Sequence, residues 1–133
     1  MQLDGVAIHP CGGVVLGESD SRPVLLLPGQ PLACLCAYDL IGARLVRRLA
    51  GRPSTFSYRR QALTLGRKVV SRIGRLELAR LRITADRAEP IAVADDHTLA
   101  TATEADGFLL VPEQSEGYPA GSRVEAYLYD EYD

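Results

Sequence analysis

The chain has no apolar run approaching the roughly 20 residues that a membrane-spanning helix needs. Its first residues, Met1-Gln2-Leu3-Asp4-Gly5, lack the basic and apolar regions of a signal peptide. The expected location is the cytoplasm, with no membrane partner. Cysteine is scarce and odd in number: Cys11, Cys34 and Cys36. Without an export signal, that count argues for reduced thiols. Cys34 and Cys36 lie two apart on an expected helix, so they face nearly opposite ways and do not hold one ion together. They are expected to be small core residues. No internal repeat or low-complexity tract is present.

Several catalytic signatures are missing as well. There is no Gly-x-Ser-x-Gly elbow and no Cys–His pair with a third orienting residue. Gly12-Gly13 is no P-loop, because no Lys-Ser/Thr accompanies it. Asp95-Asp96-His97 has metal-binding residue types. Neighbours in an extended chain point apart, however, and no fourth ligand is spaced to close a site. It is expected to be a polar loop in which Asp96 caps the segment starting at Thr98. No catalytic residue and no metal site are assigned.

Acidic residues are rare between Arg44 and Arg87, where Glu77 and Asp86 oppose most of the 15 basic residues. From Glu89 onward the balance reverses, and Arg123 is the sole basic residue. Basic and acidic strands pairing across one sheet would account for this. The alternative is a non-enzymatic binding or scaffold module whose basic stretch holds a phosphate-rich or protein partner. Tyr127, Tyr129 and Tyr132 sit among Glu125, Asp130 and Glu131, which argues against nucleic acid stacking there.

The remaining composition is ordinary globular material. The 133 residues are 47% hydrophobic and 24% charged, a soluble-domain composition. A chain of this size buries about 65–70% of its unfolded surface. The most informative stretch is Val24-Leu25-Leu26-Leu27, which reads as a buried strand stopped by Pro28-Gly29-Gln30-Pro31. Pro31 suits a first helical position. Leu35, Tyr38, Ile41, Leu45 and Leu49 then recur at helical spacing and predict one buried stripe. Gly51 and Pro53 end the helix. Such a turn aims an N-terminal dipole, about +0.5 of a charge, and unpaired N–H groups at the end of a sheet, where an anion can be held. Pro28, Gly29, Gln30 and Pro31 are therefore candidate ligand-binding residues. His9, with an unperturbed pKa near 6.5, can meet an anion when protonated, or can be a plain loop histidine.

Beyond a linker at 53–56 the pattern changes to short strands: 61–65, 68–73, 76–84, 88–94, 108–111 and 123–129. The alternation slips within 76–84, which predicts a bulge or corner near Ala79. Residues 98–105 look helical. Val124, Ala126 and Leu128 are expected to face inward. The fold class is α+β: a partial α/β segment of short strands and one long helix over 1–52, then a small β-barrel or sandwich-like domain over 57–133.

Taken together these segments resemble the molybdopterin molybdenumtransferases, the MoeA and gephyrin E-domain family. Leu27-Pro28-Gly29-Gln30-Pro31 and its helix are similar to that family's Leu-Pro-Gly-Asn-Pro-Val-Ser segment. Gly74-Arg75-Leu76-Glu77-Leu78-Ala79-Arg80 resembles its Gly-Arg-x-Glu-Phe-x-Arg strand. Ala105-Asp106-Gly107-Phe108 and Gly121-Ser122-Arg123-Val124 resemble later segments in the same order. Residues 6–17 look like its lysine-Pro-Gly-lysine-Pro segment, with His9 and Gly12 standing where the family has lysines. Gln30 replaces an Asn, and Ala33 replaces a Ser.

The resemblance implies insertion of molybdate into adenylylated molybdopterin, with Mg²⁺ and release of AMP, by a homodimer. It implies a molybdopterin-type ligand or molybdate oxyanion as partner. It also implies that this chain is a C-terminal portion, inactive and binding no cofactor when alone.

Overall fold

The computed structural model describes residues 3–56, 58–91 and 103–132. It divides into two compact units, Met1–Phe56 and Ser57–Asp133.

The first unit contains β1 (Leu3–Asp4), β2 (Ile8–His9), β3 (Val15–Ser19) and β4 (Arg22–Leu26). β1, β3 and β4 form an antiparallel sheet in that order. The β3–β4 turn is Asp20-Ser21, both left-handed at φ 50° and 61°. A two-residue turn with positive φ at both positions matches the twist of a hairpin, and the short polar Asp side chain tolerates it. The expected buried strand is corrected here. Val24, Leu26 and Leu27 are 38%, 57% and 39% exposed. Strand side chains alternate between faces, and only Leu25 turns toward the helix, near Gly42.

The helix is one continuous run of three pieces: α1 (Pro31–Ala37), a π-helical turn at Tyr38–Gly42, and α2 (Ala43–Leu49). Its buried residues are Leu32, Ala33, Cys36, Ala37, Asp39, Leu40 and Gly42. The expected stripe is not the buried one, since Leu35, Tyr38 and Leu49 are 39%, 47% and 66% exposed. A π turn inserts an extra residue and breaks the 3.6-residue phase on which the stripe was drawn. The mostly small residues on the covered face also let the helix approach the sheet closely. Gly51, at φ 73°, ends it as expected, its N–H donating to the Arg48 carbonyl. The segment at 53–56 folds back on the helix. Arg44 Nε donates to the Ser54 carbonyl at 2.8 Å, Arg47 Nε to the Pro53 carbonyl at 3.0 Å, and the Arg44 guanidinium lies 5.3 Å from the Phe56 ring centre.

The second unit contains β5 (Tyr58–Leu65), β6 (Val69–Val70), β7 (Leu76–Thr84), β8 (Arg87–Pro90), β9 (Gly107–Val111), β10 (Gly117–Tyr118) and β11 (Arg123–Tyr132). β6 and β10 form an antiparallel two-stranded ribbon. The long strands pair in the order β7-β8-β5-β11-β9, and β9 pairs again with β7. Among the described pairings of these strands β5–β8 is parallel and the rest are antiparallel, so the sheet is mixed. Inside it lies a core that includes Leu63, Leu65, Leu81, Leu109, Val111, Val124 and Ala126. Val124, Ala126 and Leu128 are 6%, 0% and 4% exposed, facing inward as their alternation requires. β9 approaches β11 so closely that a Cβ on Gly107 would strike the Tyr127 carbonyl.

β7 carries no bulge. Its register is regular against β9 from Glu77 to Leu81 and against β8 from Leu81 to Thr84. The slip at Ala79 has another cause: β7 is covered on both faces. Ala79, Leu81 and Ile83 belong to the core, while Leu78 and Arg80 are buried on the opposite side. Of the expected 98–105 helix, Thr103 and Glu104 are helical. Residues 98–102 lie outside the described residues, as do Asp95-Asp96-His97 and positions 92–94 of the strand expected at 88–94.

Candidate functional site

Two places in the molecule hold groups suited to anions, one in each unit. The first is the bend at Pro28–Pro31. Pro28 is half-buried, and Gly29, Gln30 and Pro31 are exposed. Gln30 occupies the N-cap in an extended conformation (φ −74°, ψ 133°) and makes no side-chain cap. Pro31 comes next at the first helical position, and the Gln30 carbonyl accepts the first helical hydrogen bond, from Cys34 N, at 2.8 Å. The Gln30 side chain therefore does not cap the first-turn amides.

His9 is half-buried at the end of β2. Val15, which opens β3, pairs with Leu26, which closes β4. The chain entering β3 and the chain leaving β4 thus sit at one end of the hairpin, and Cys11 contacts Cys36 there. The structure brings the 9–13 turn and the start of the helix to that shared end.

The second place was missed as a site from sequence. Arg80 is 5% exposed, on the non-core face of β7. Its Nη1 donates to the Tyr129 hydroxyl at 2.6 Å. Its Nη2 is buried and makes no hydrogen bond among the described residues. Around it Phe108 stacks on Tyr127 at 5.1 Å, and Tyr58 meets both Phe108 and Tyr129 edge-on at 5.5 Å. An unpaired buried cation is costly. A guanidinium with a spare donor is also well shaped for an oxyanion. The available signal was the spacing Leu76-x-Leu78-x-Arg80, which puts the arginine on the same buried row as two leucines.

Other arginines of the basic stretch are engaged. Arg60 pairs with Glu125 at 3.2 Å, Arg67 with Glu89 at 3.0 Å, Arg75 with Glu77 at 3.4 Å and Arg82 with Glu104 at 2.7 Å. Of these pairs, Arg60–Glu125 joins the neighbouring strands β5 and β11, so cross-strand pairing accounts for part of the charge pattern. Asp106 has a structural task. Its Oδ2 accepts from Ile83 N at 2.8 Å, its N–H donates to the Leu81 carbonyl at 2.8 Å, and its carbonyl accepts from Tyr129 N at 3.0 Å. It ties β7 to β11 beside a cavity of about 400 Å³ lined in part by Arg59, Gln61, Ile83 and Tyr129. Among the described residues no three His, Cys, Asp or Glu side chains stand together as a metal site, and no helix is long and apolar enough to cross a membrane.

These features define an α+β protein in which a strand–turn–helix piece precedes a β-rich unit of mixed pairing. Residues 62–129, about half of the chain, match the family described as the MoeA C-terminal region (domain IV). The chain belongs to that family. It is 28% identical over 126 residues to a Methanocaldococcus jannaschii protein provisionally assigned to molybdopterin biosynthesis, covering 95% of this chain and 29% of that one. A molybdopterin biosynthesis MoeA protein from Pyrococcus horikoshii superposes with a TM-score of 0.85 at 23% identity, over 96% of this chain and 32% of its own. A molybdenum cofactor biosynthesis protein from Pyrococcus furiosus gives 0.82 at 25% identity, over 95% and 44%. The chain therefore spans about a third of the length of the relatives it matches.

Proposed function

We propose that this chain is the C-terminal portion of a molybdenumtransferase-like protein, one that inserts molybdate into adenylylated molybdopterin. The observation that carries this reading is the open, uncapped bend at Pro28–Pro31. It offers helix N-terminal amides at the hairpin end shared with the turn after His9. Molybdate and the phosphates of an adenylylated pterin are oxyanions, and amides at a helix start hold such groups. Gly29 lets a ligand approach the backbone, and the flanking prolines keep the bend rigid. His9 adds charge when protonated. In the second unit Arg80 offers a buried cation with a free donor.

The returning strand order of the second unit is read as a small barrel. The exposed Val24 and Leu26 on the sheet, and Leu35, Val46 and Leu49 on the helix, are read as two surfaces on which the rest of a larger α/β layer packs. On this reading the chain alone is inactive, and the assembled protein is a cytoplasmic homodimer. Mg²⁺ supplies charge neutralisation at phosphate when bound. The described residues hold no carboxylate set for it, so no step here runs through the metal.

The test offers adenylylated molybdopterin and molybdate to the 133-residue chain and measures AMP release and ligand binding separately. Weak binding without turnover is expected, and binding should fall when Gly29→Val crowds the bend. Sustained turnover by the chain alone would overturn the claim of inactivity. Binding that ignores Gly29→Val would remove the bend from the site.

A further inference from the structure

Cys11 and Cys36 take no part in the function proposed above. Cys11 lies in the turn after β2 and Cys36 in the second half of α1, and both are 0% exposed. Their sulfurs are 3.2 Å apart, with the Cys36 thiol donating to the Cys11 sulfur. That separation is about 1.2 Å longer than a disulfide bond, so little movement would join them. The hydrogen bond from Cys36 holds the Cys11 thiol below its ordinary value of 9.0, while burial pulls the other way. A lowered thiol pKa increases the thiolate share, and the thiolate is the reacting form. Cys34 is on the other side of the helix and only partly buried. A metal role lacks donors, since no third His, Cys, Asp or Glu joins the pair among the described residues.

We propose that Cys11 and Cys36 form an internal redox pair that hydrogen peroxide converts to a disulfide, clamping the turn after His9 onto the helix that begins at Pro31. In the first step, once a local opening of the turn admits peroxide to the fully buried sulfur, the Cys11 thiolate attacks one peroxide oxygen, and the O–O bond breaks. Cys11 becomes a sulfenic acid and hydroxide leaves. In the second step the Cys36 sulfur attacks the Cys11 sulfur, and the S–O bond breaks. The Cys36 proton and the departing hydroxyl make water. Both thiols are oxidised, and one peroxide is reduced to two waters. A dithiol reductant reverses the bond by thiol–disulfide exchange. The sulfur geometry alone carries this step, whatever ligand the bend holds.

The test treats the reduced 133-residue chain with a few equivalents of hydrogen peroxide, then denatures and alkylates it. Intact mass and a digest are read. The expected result is loss of two of the three alkylatable thiols together, a Cys11–Cys36 linked peptide, an alkylated Cys34, and full reversal by dithiothreitol. Cys34→Ser should form the bridge as well as the parent does, and its thermal midpoint should rise by several degrees on oxidation. Cys36→Ser should form no internal bridge. If that variant fails to fold, the digest of the parent chain decides alone. Three thiols still alkylatable, a bridge through Cys34, linkage between chains, or sulfinic acid on Cys11 without a bridge would each overturn the proposal.

Discussion

The two units solve the burial problem in opposite ways. In Ser57–Asp133 the five long strands return on themselves in pairing, and the alternating rows of β5, β9 and β11 close over large aliphatic side chains. In Met1–Phe56 one helix lies on a three-stranded sheet. Small residues such as Ala33, Cys36, Ala37 and Gly42 are covered, while Leu26, Val46 and Leu49 stay 57%, 57% and 66% exposed. Hydrophobic pattern therefore reports burial faithfully in the long paired strands of the second unit, while Val70 in its ribbon and Ile73 beyond it stay 69% and 64% exposed. The second unit looks like a finished core. The first looks like one side of an interface, with its amide-rich bend left open.

The sharpest way to break this contrast is truncation of a large apolar residue in each unit. Phe108→Ala removes a fully buried ring and should cost about 3–5 kcal/mol in urea unfolding. Leu49→Ala should stay within about 0.5 kcal/mol. Comparable losses would mean that Leu49 is covered after all.

A smaller effect is expected at the tightest strand approach. Gly107→Val drives a side chain into the Tyr127 carbonyl and should cost about 1–3 kcal/mol, read from the same unfolding curves. Arg80→Met should separate stability from binding. Removing a buried cation that has no carboxylate partner should change unfolding by no more than about 1 kcal/mol, since the lost Tyr129 contact offsets the relief. Affinity for an oxyanion ligand, measured by calorimetry, should fall at least about tenfold, or about 1.4 kcal/mol. A large loss of stability with binding intact would make Arg80 a packing residue.

The smallest effect belongs to the surface pairs. Arg60 and Glu125 are 62% and 58% exposed, so Arg60→Ala should cost under about 1 kcal/mol. That difference should vanish in high salt.

Much of the second unit was readable from sequence because its signals are local. The row Val124, Ala126, Leu128 needs only a two-residue period, and Gly74 and Pro112 mark the edges of strands. The helix was readable in its start at Pro31 and its stop at Gly51 for the same reason. Its buried face was not, because the π turn at Tyr38–Gly42 shifts the phase partway along. The β7 slip suggests a bulge or a corner from sequence, because alternation cannot distinguish a kinked strand from one covered on both sides. In the candidate site, the Pro28–Pro31 bend was legible as punctuation. Arg80 was legible only as one more cation in a basic stretch.

Short-range pattern alone determined where elements begin and end, the class of fold, and the proline-flanked bend, because turns, caps and side-chain alternation depend on neighbours a few residues away. Only the tertiary structure decided that β9 pairs with both β11 and β7, that Arg80 is buried against the Tyr129 hydroxyl, and that Cys11 meets Cys36 across 25 positions. Such contacts arise when distant segments compete for the same buried surface, and no local periodicity records which of them wins.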